Sequence, residues 1–438
     1  MPALASSDAL SAPERVHRAY RRIEVSDRPE AWIELRDEHE ALAEAAAVQR
    51  RLGAGARLPL AGVTVAVKDN VDVAGLPTTA GCPAYAYTPP TDAESVARLR
   101  AAGAIVLGKA NLDQFATGLT GTRSPYGAVR DARDPDRVAG GSSSGSAVAV
   151  ATGMADLGLG TDTAGSGRVP AAFQGVVGIK PTLGLVPTRG VVPACRSFDC
   201  VSVFAATLAL ARGAIAVMAG HDAQDPRSRR LPGDAPAFAP ERPRIAVPRP
   251  EQLELLSPDA LVALATAAAR CQRTLDAELV EIDLEPFLTA GRLLYEGAFV
   301  AERFAAVGEF IASHREAVDP HVATIVLGGG GVSAASYVGD VEKLERLRLR
   351  ARDALRGCDT VLLPTAPFQP TIEQVRADPI GCNRRLGTYT TFANLLDLCA
   401  VALPAGHADG GCFGITLLAP SFRDDVLADL AGRLELAT

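Results

Sequence analysis

The 438-residue chain carries a formal charge of −7, with 48% hydrophobic and 22% charged residues. This composition supplies a large core but no basic surface for nucleic acid, which argues against nucleic-acid binding. The amino-terminal residues lack the basic start and apolar segment of a secretory signal. The apolar stretch at 203–220 contains Arg212, which a membrane span would not favour. We therefore expect a cytoplasmic protein without a transmembrane segment.

The cysteines and histidines give no sign of a metal or thiol mechanism. Eight cysteines occur without a CxxC pair, which is typical of free thiols in a reducing compartment. Six histidines are scattered along the chain without the spacing of metal ligands. Because a cysteine nucleophile normally needs a histidine partner, we do not expect a cysteine mechanism.

The predicted elements of the first half alternate between helix and strand. Apolar positions at helical spacing predict a helix over 31–52. A short β-branched run at 63–67 predicts a strand that ends at Lys68. Residues 93–111 predict a helix, a glycine turn and a buried strand, and 203–220 predicts an amphipathic helix. This alternation is typical of layered α/β folds.

A polar, proline-rich stretch at 225–243 predicts a surface excursion between two parts of the fold. Beyond it we expect strands at RIAVP, TVLLPTAP and FGITLLAP, and long helices around Leu261 and Val341. No low-complexity linker divides the chain. We therefore expect a single domain over 1–438, with a helical segment over about 1–55.

The most informative stretch, 140–181, contains two clusters of glycine and serine, GGSSSGS and TAGSG. Small residues expose backbone N–H groups that can stabilise the oxyanion formed when an acyl carbon is attacked. Serine can supply the attacking oxygen, but only if a base removes its proton. No histidine lies near either cluster, so a lysine is the remaining candidate. Lys68 ends a buried strand, where burial would lower its pKa toward neutrality.

Lys68 in VKDN, the GGSSSGS cluster and TDTAGSGRVPA resemble the amidase-signature family in order and spacing. The resemblance covers nearly the whole chain and implies an α/β fold with a mixed central β-sheet between layers of helices. It also implies a triad, with Ser166 as nucleophile, Ser142 as proton relay with a cis peptide bond, and Lys68 as base. The oxyanion hole implied by the family consists of the backbone N–H groups of Thr163, Ala164, Gly165 and Ser166.

A narrower resemblance is to the allophanate hydrolases of that family. It is carried by NLDQFATGLTGTRSPYG, RGVVPACRSFDCVSVFA and LYEGAFVAERFAAV. It implies that Tyr295 and Arg303 hold the substrate and that Gly118 lies beside it. An arginine can bind a carboxylate through two parallel hydrogen bonds, which suits a small anion such as allophanate. The implied reaction releases ammonia and N-carboxycarbamate through an acyl-enzyme. It needs no metal or organic cofactor.

Further expectations come from the same resemblance. A homodimer is implied, with a small-molecule substrate as the other partner. Related allophanate hydrolases often carry an additional carboxy-terminal domain, which we expect to be absent here. Either the chain is truncated or it works as an amidase alone. Two other functions stay open, namely hydrolysis of another small amide and a catalytically idle binding subunit.

Several of these residues also have structural interpretations. Ser143 fits the GxSxG elbow of α/β-hydrolases, but no downstream acid and histidine can be placed with it. Lys68 taken alone would more often be a surface charge or an ion-pair partner. Asp162 and Arg168 lie beside the predicted nucleophile, and we expect them to pair and hold the turn rather than to contact substrate.

Tyr295 and Arg303 are predicted to lie on one helix, where eight residues place both side chains on the same face. Without the resemblance we would interpret them as structural. The stretch GAIVLGKA has the glycine and lysine spacing of a phosphate-binding loop. However, Ala110 occupies the position of the metal-binding hydroxyl, so a nucleotide site is not expected.

Overall fold

The structure, a computed structural model, describes residues 10–435. Its strands are β1 (Trp32–Leu35), β2 (Thr64–Lys68), β3 (Ile105–Ala110), β4 (Leu157–Asp162), β5 (Val177–Lys180), β6 (Cys200–Ala205), β7 (Arg244–Pro248), β8 (Glu278–Ile282), β9 (Thr360–Pro364), β10 (Leu398–Ala408) and β11 (Gly411–Pro420). They form one sheet in the order β1-β3-β2-β4-β6-β5-β10-β11-β9-β7-β8.

The helices of the described region cover both faces of the sheet. They are α1 (Ala12–Val25), α2 (Glu38–Gly53), α3 (Glu94–Ala101), α4 (Ser144–Ala151), α5 (Val169–Gln174), α6 (Leu208–Met218), α7 (Pro258–Leu275), α8 (Glu285–Arg292), α9 (Val300–Ser313), α10 (Pro320–Gly328), α11 (Ala334–Ala354), α12 (Ile372–Ala377), α13 (Pro379–Leu386), α14 (Phe392–Leu395) and α15 (Asp424–Glu435). Short 3-10 turns occur at Pro29–Ala31, Pro83–Tyr85, Gln114–Ala116, Pro250–Leu253, Arg315–Ala317 and Gly329–Gly331.

The sheet is mixed. Strand β2 is parallel to both β3 and β4, and β7 is parallel to both β8 and β9. The remaining strand pairs are antiparallel. The predicted fold class, a mixed sheet between layers of helices, is therefore confirmed.

Strand β2 shows how the sheet positions a functional side chain. All five of its residues are buried, as expected of a strand covered by helices on both faces. Val65 and Val67 pack into the core cluster that includes helix α6, whereas Ala66 packs on the other side with Val148 of α4. Side chains alternate along a strand, so Lys68 follows Ala66 toward the face that α4 covers.

Two helix predictions were wrong at their amino-terminal ends. Residues Trp32–Leu35 form edge strand β1, antiparallel to β3, and the helix begins only at Glu38. Likewise, the stretch at 203–220 begins inside strand β6 and becomes helical at Leu208. A short apolar run fits a buried strand and a buried helix equally well, and in both places pairing with a neighbouring strand decided the outcome.

Other expectations from the sequence are confirmed. Residues 93–111 form helix α3, a turn at Gly103 and buried strand β3, and 225–243 contains no helix or strand. The lysine of GAIVLGKA, Lys109, lies inside β3 and is buried against Asp69 with Nζ 3.0 Å from Oδ1. A lysine within a strand and paired with a carboxylate does not form a phosphate-binding loop.

Within residues 10–435, no single helix combines the length and hydropathy that a membrane span requires. The segments Pro320–Gly331 and Ala334–Ala354 reach that length and hydropathy only together, and they are bent by 102° at the break between them.

Candidate active site

Lys68 and Thr161 meet where the parallel strands β2 and β4 end, because the carboxyl ends of adjacent parallel strands lie at the same edge of a sheet. The Lys68 Nζ lies 2.8 Å from Ser142 Oγ and 2.8 Å from Thr161 Oγ1. Ser142 lies two residues before helix α4, and its peptide bond with Gly141 is cis. The structure therefore places two members of the predicted triad in direct hydrogen-bonding contact.

Burial lowers the pKa of Lys68 to about 7. The side chain is completely buried, and desolvation disfavours its charged form. The negative charges of Asp113, Asp162 and Asp199 act in the opposite direction and raise the pKa. The net effect leaves a large neutral fraction of this amine near pH 7, and a neutral amine can accept a proton from the Ser142 hydroxyl.

Ser166 lies in the turn that joins β4 to α5, and it is almost fully buried. The Asp162 carboxylate organises this turn by accepting hydrogen bonds from the amides of Gly165 at 3.0 Å and Gly167 at 2.9 Å. The Arg168 guanidinium donates two further bonds of 2.9 Å to the same carboxylate. The expectation that Asp162 and Arg168 pair to hold the turn is confirmed.

The charges of this turn stabilise each other. Burial raises the pKa of Asp162, but the Arg168 guanidinium, the charge of Lys180 and the Gly167 amide together outweigh that effect and hold the pKa below its ordinary value. Both side chains are completely inaccessible to solvent. Loss of one partner of a buried ion pair leaves an uncompensated charge and strongly destabilises a protein. This pair therefore fixes the turn around Ser166.

The four predicted oxyanion N–H groups do not have equal surroundings. The Gly165 amide already donates to the Asp162 carboxylate. The predicted oxyanion hole is therefore reduced to the N–H groups of Thr163, Ala164 and Ser166. Gly165 has φ of +130°, and a Cβ at this position would overlap the Thr390 side chain. Glycine is therefore required here both by the backbone conformation and by the close approach of Thr390.

Two residues near the carboxyl terminus were not foreseen from the sequence. The Thr390 hydroxyl donates to the Ala164 carbonyl at 2.8 Å. The Asn394 amide donates to the carbonyls of Asp162 and Phe198, both at 2.8 Å. These contacts join positions more than 190 residues apart. Neither residue lies in a motif that would have predicted such a contact.

Asp113 is a further residue that sequence reasoning missed. Its N–H donates to the Ser142 carbonyl at 3.3 Å, and its carboxylate accepts from the amides of Gly121 and Arg123 at 3.0 and 2.9 Å. A Cβ on Gly118 would overlap this carboxylate. Packing against Asp113 is therefore a structural reason for glycine at 118, and the predicted position of Gly118 beside the substrate remains a prediction.

Tyr295 and Arg303 do not share a helix, contrary to the prediction. Tyr295 lies between α8 and α9, whereas Arg303 lies in the first turn of α9. Their side chains nevertheless meet, because Arg303 Nη2 donates to the Tyr295 hydroxyl at 3.1 Å. The guanidinium carbon lies 4.9 Å from the centre of the tyrosine ring, within the range of a cation–π contact.

Arg303 is a buried cation with an unusual environment. The residue is 1% exposed, and Nη1 donates to Thr117 Oγ1 at 2.9 Å. Within residues 10–435, no carboxylate lies within 4.0 Å of its guanidinium, and Nε has no hydrogen-bond partner. Neutral hydroxyl groups are thus the polar neighbours of this charge, which can therefore still bind an anion.

A cavity of about 840 Å³ opens beside Tyr295. Leu119 and Thr391 also contribute to its wall. Four of its lining residues are arginines, namely Arg123, Arg292, Arg384 and Arg385. Tyr295, whose hydroxyl accepts from Arg303, lines this cavity, whereas Arg303, Ser142 and Ser166 are not among its lining residues. The described residues contain no group of three His, Cys, Asp or Glu side chains arranged to hold a metal ion.

Comparison with known proteins gives the class. The family model described as Amidase matches residues 14–427, nearly the whole chain. A glutamyl-tRNA(Gln) amidotransferase polypeptide from Deinococcus deserti is 35% identical over 451 residues, covering 95% of this chain and 91% of that protein. The chain belongs to the amidase-signature family. It is an enzyme of the amidohydrolase type, which acts on amide C–N bonds.

Within this family the chain is similar to particular enzymes. A urea amidolyase from Saccharomyces cerevisiae is 45% identical over 382 residues, covering 86% of this chain and 21% of that protein. The chain thus spans about a fifth of the length of the urea amidolyases it matches. The solved allophanate hydrolase of Kluyveromyces lactis has 41% identity and a TM-score of 0.90, covering 97% of this chain and 70% of that chain.

Proposed function

We propose that this amidohydrolase cleaves the terminal amide of allophanate. The observation that carries the proposal is Arg303, a buried guanidinium without a carboxylate partner in the described part of the chain. A charge removed from water is costly unless an opposite charge or hydrogen bonds compensate it. An anionic substrate would supply that compensation. The similarity to the allophanate hydrolase of Kluyveromyces lactis supports the same choice.

The proposed chemistry starts with neutral Lys68. Its nitrogen accepts the proton of Ser142 Oγ, which lies 2.8 Å away, while Ser142 takes the proton of Ser166. The Ser166 oxygen then forms a bond to the carbonyl carbon of the terminal amide. The N–H groups of Thr163, Ala164 and Ser166 would stabilise the resulting oxyanion. A pKa of about 7 suits Lys68 to this task, because both protonation states are populated near neutral pH.

The proton held by Lys68 returns through Ser142 to the leaving nitrogen. The carbon–nitrogen bond breaks and ammonia leaves, which gives an acyl-enzyme on Ser166. Water attacks this intermediate with the same relay as base. The ester bond to Ser166 breaks, and N-carboxycarbamate is released. Each step uses only side chains and backbone groups of this chain together with water.

A different small amide is the second candidate. The cavity of about 840 Å³ beside Tyr295 is much larger than allophanate and has apolar walls that include Leu288 and Val332. The amidotransferase polypeptide from Deinococcus deserti is also similar over most of its length. A bulkier substrate, or the amide of glutamine, would account for these two observations.

The test is ammonia release by the purified protein from allophanate, biuret, urea, glutamine and simple aliphatic amides at equal concentration. Biuret is the sharpest comparison, because it replaces the carboxylate of allophanate with a neutral amide of similar shape. We expect allophanate to be the preferred substrate and the Ser166→Ala variant to release no ammonia from it. Preference for a neutral amide would overturn the substrate assignment but keep the amidase.

Absence of turnover on every substrate, together with failure of a fluorophosphonate to label Ser166 in folded protein, would overturn the proposed role of Ser166 as nucleophile. The expected homodimer and cytoplasmic location remain predictions. Light scattering tests the first of these.

A further inference from the structure

Thr117 lies between two buried arginines. Arg303 Nη1 donates to the Thr117 hydroxyl oxygen at 2.9 Å, and Arg123 Nη1 donates to the Thr117 carbonyl at 2.9 Å. Arg123 and Arg303 are 3% and 1% exposed. In the region from residue 10 to 435, neither arginine has a carboxylate within 4.0 Å. One residue therefore contacts two cations that are otherwise held by neutral groups.

The hydroxyl group of Thr117 is oriented by a hydrogen bond to the backbone. Its oxygen donates its single hydrogen to the Phe115 carbonyl at 3.1 Å. A hydroxyl has one hydrogen and two acceptor lone pairs, so the lone pairs remain for the guanidinium. A guanidinium can only donate hydrogen bonds. Because the Thr117 hydrogen is already used, its hydroxyl oxygen serves Arg303 only as an acceptor.

The backbone before Thr117 is itself fixed. Phe115 and Ala116 have φ of +49° and +51°, a left-handed conformation that is uncommon for residues other than glycine. The Phe115 amide donates to the Ala80 carbonyl at 2.9 Å, and the Ala116 amide donates to the Asp113 carbonyl at 2.9 Å. Such conformations persist where the surrounding structure determines them strongly. The Thr117 hydroxyl is thereby held at a defined position.

Arg303 is consequently held at two points. Thr117 accepts from Nη1, and the Tyr295 hydroxyl accepts from Nη2. Two anchors on different nitrogens fix the rotation of a planar group, whereas one anchor leaves it free to pivot. Each terminal nitrogen retains a second hydrogen, and Nε has no partner among the described residues. These hydrogens remain for a carboxylate.

We propose that Thr117 is a positioning residue that sets how strongly Arg303 discriminates a carboxylate substrate from a neutral one. The proposal rests on the proposed function, since it assumes that Arg303 binds the carboxylate of the substrate. Thr117 does not touch the reacting atoms. It acts through the orientation of the guanidinium.

The test compares two substitutions at one position. Thr117→Val keeps the branched shape but removes the hydroxyl, whereas Thr117→Ser keeps the hydroxyl. We expect Thr117→Val to raise KM for allophanate about tenfold, since hydrogen bonds to charged groups contribute on this scale. The kcat for allophanate should change little. Thr117→Ser should restore most of the loss.

Biuret distinguishes positioning from a general structural role. If Thr117→Val disturbs only the orientation of Arg303, kcat/KM for biuret stays within about twofold of the unmodified protein, because biuret has no carboxylate. Equal losses for allophanate and biuret would overturn the proposal. So would a Thr117→Ser variant as impaired as Thr117→Val. Unfolding midpoints of both variants show whether either change affects the fold.

Arg303→Met, measured in parallel, separates failure of this inference from failure of the proposed function. If Arg303→Met leaves the allophanate-to-biuret ratio of kcat/KM unchanged, Arg303 does not bind a carboxylate, and the role of Thr117 is overturned even where allophanate is still the preferred substrate. If Arg303→Met removes the preference but Thr117→Val does not, only the role of Thr117 is overturned. In the double variant, Thr117→Val should add no further loss of preference to that of Arg303→Met.

Discussion

Arg168 and Arg303 are equally buried but have opposite surroundings. The Arg168 guanidinium donates two hydrogen bonds of 2.9 Å to the Asp162 carboxylate, next to Ser166. Arg303 contacts the hydroxyl groups of Thr117 and Tyr295, and no carboxylate of residues 10–435 lies within 4.0 Å of it. One buried charge is neutralised inside the protein, and the other is not.

Burial alone therefore does not identify a binding residue. A buried arginine with its own carboxylate stabilises local structure, because loss of either partner leaves an uncompensated charge. A buried arginine with only neutral neighbours retains attraction for an external anion. We therefore expect changes near Arg168 to affect every substrate, and changes near Arg303 to affect anionic substrates only.

The largest effect is expected at Ser166, in the turn that Arg168 supports. Ser166→Ala should lower kcat by at least about 10⁴-fold for allophanate and for biuret alike, because the attacking oxygen is lost. Ammonia release measures this directly. The matched control is Ser143→Ala, which should retain labelling by a fluorophosphonate. Labelling that disappears in Ser143→Ala and persists in Ser166→Ala would show that Ser166 is not the nucleophile.

The next largest effect is expected at Arg168, the arginine that pairs with Asp162. Arg168→Met leaves the Asp162 carboxylate buried without its partner, and we expect the free energy of unfolding to fall by about 3–5 kcal/mol. Denaturant unfolding measures the loss. Arg356→Met is the control, because that side chain is 82% exposed and its ion pair with Asp353 should contribute at most about 1 kcal/mol. Similar losses in both variants would contradict the structural role of Arg168.

A third buried cation, Lys68, extends the comparison because it can lose its charge. Burial lowers its pKa to about 7, and only the neutral amine can act as base. The kcat/KM should therefore rise about tenfold per pH unit below pH 7 and level off above it. Biuret is the suitable substrate for this profile because its own charge does not change in this range. A profile that is flat from about pH 5 to 8 would contradict the role of Lys68.

The smallest effect is expected from Tyr295→Phe. This change keeps the ring that faces the Arg303 guanidinium but removes the hydroxyl that accepts from Nη2 at 3.1 Å. KM for allophanate should rise about threefold to tenfold, with kcat/KM for biuret unchanged. Tyr20→Phe, which removes a hydroxyl bonded to the Arg36 carbonyl, should alter neither value. An equal loss for biuret would show that Tyr295 affects the fold and not recognition.

The parts of the site carried by contiguous motifs were predictable from the sequence. Lys68 ends a β-branched run, and Ser142 and Ser166 lie in two glycine-rich clusters, which indicated serine chemistry with a lysine base. The individual roles of these three residues were implied by the family resemblance. The layered α/β class followed from the alternation of elements, and the mixed sheet between helices followed from the family resemblance. The pairing of Asp162 with Arg168 followed from their place beside the predicted nucleophile.

The parts formed by distant segments were not predictable. Thr117, Thr390 and Asn394 act through hydrogen bonds across the fold, and no periodicity or spacing indicates such contacts. Tyr295 and Arg303 were placed on one helix because eight residues fit two helical turns. The chain instead breaks between α8 and α9, and tertiary packing brings the two side chains together.

The proposal that the unpaired charge of Arg303 selects a carboxylate substrate is tested by the ratio of kcat/KM for allophanate to that for biuret, in the unmodified protein and in Arg303→Met. We predict a clear preference for allophanate that falls about 10- to 100-fold in Arg303→Met, with biuret turnover little changed. A ratio that is the same in both proteins would contradict the claim.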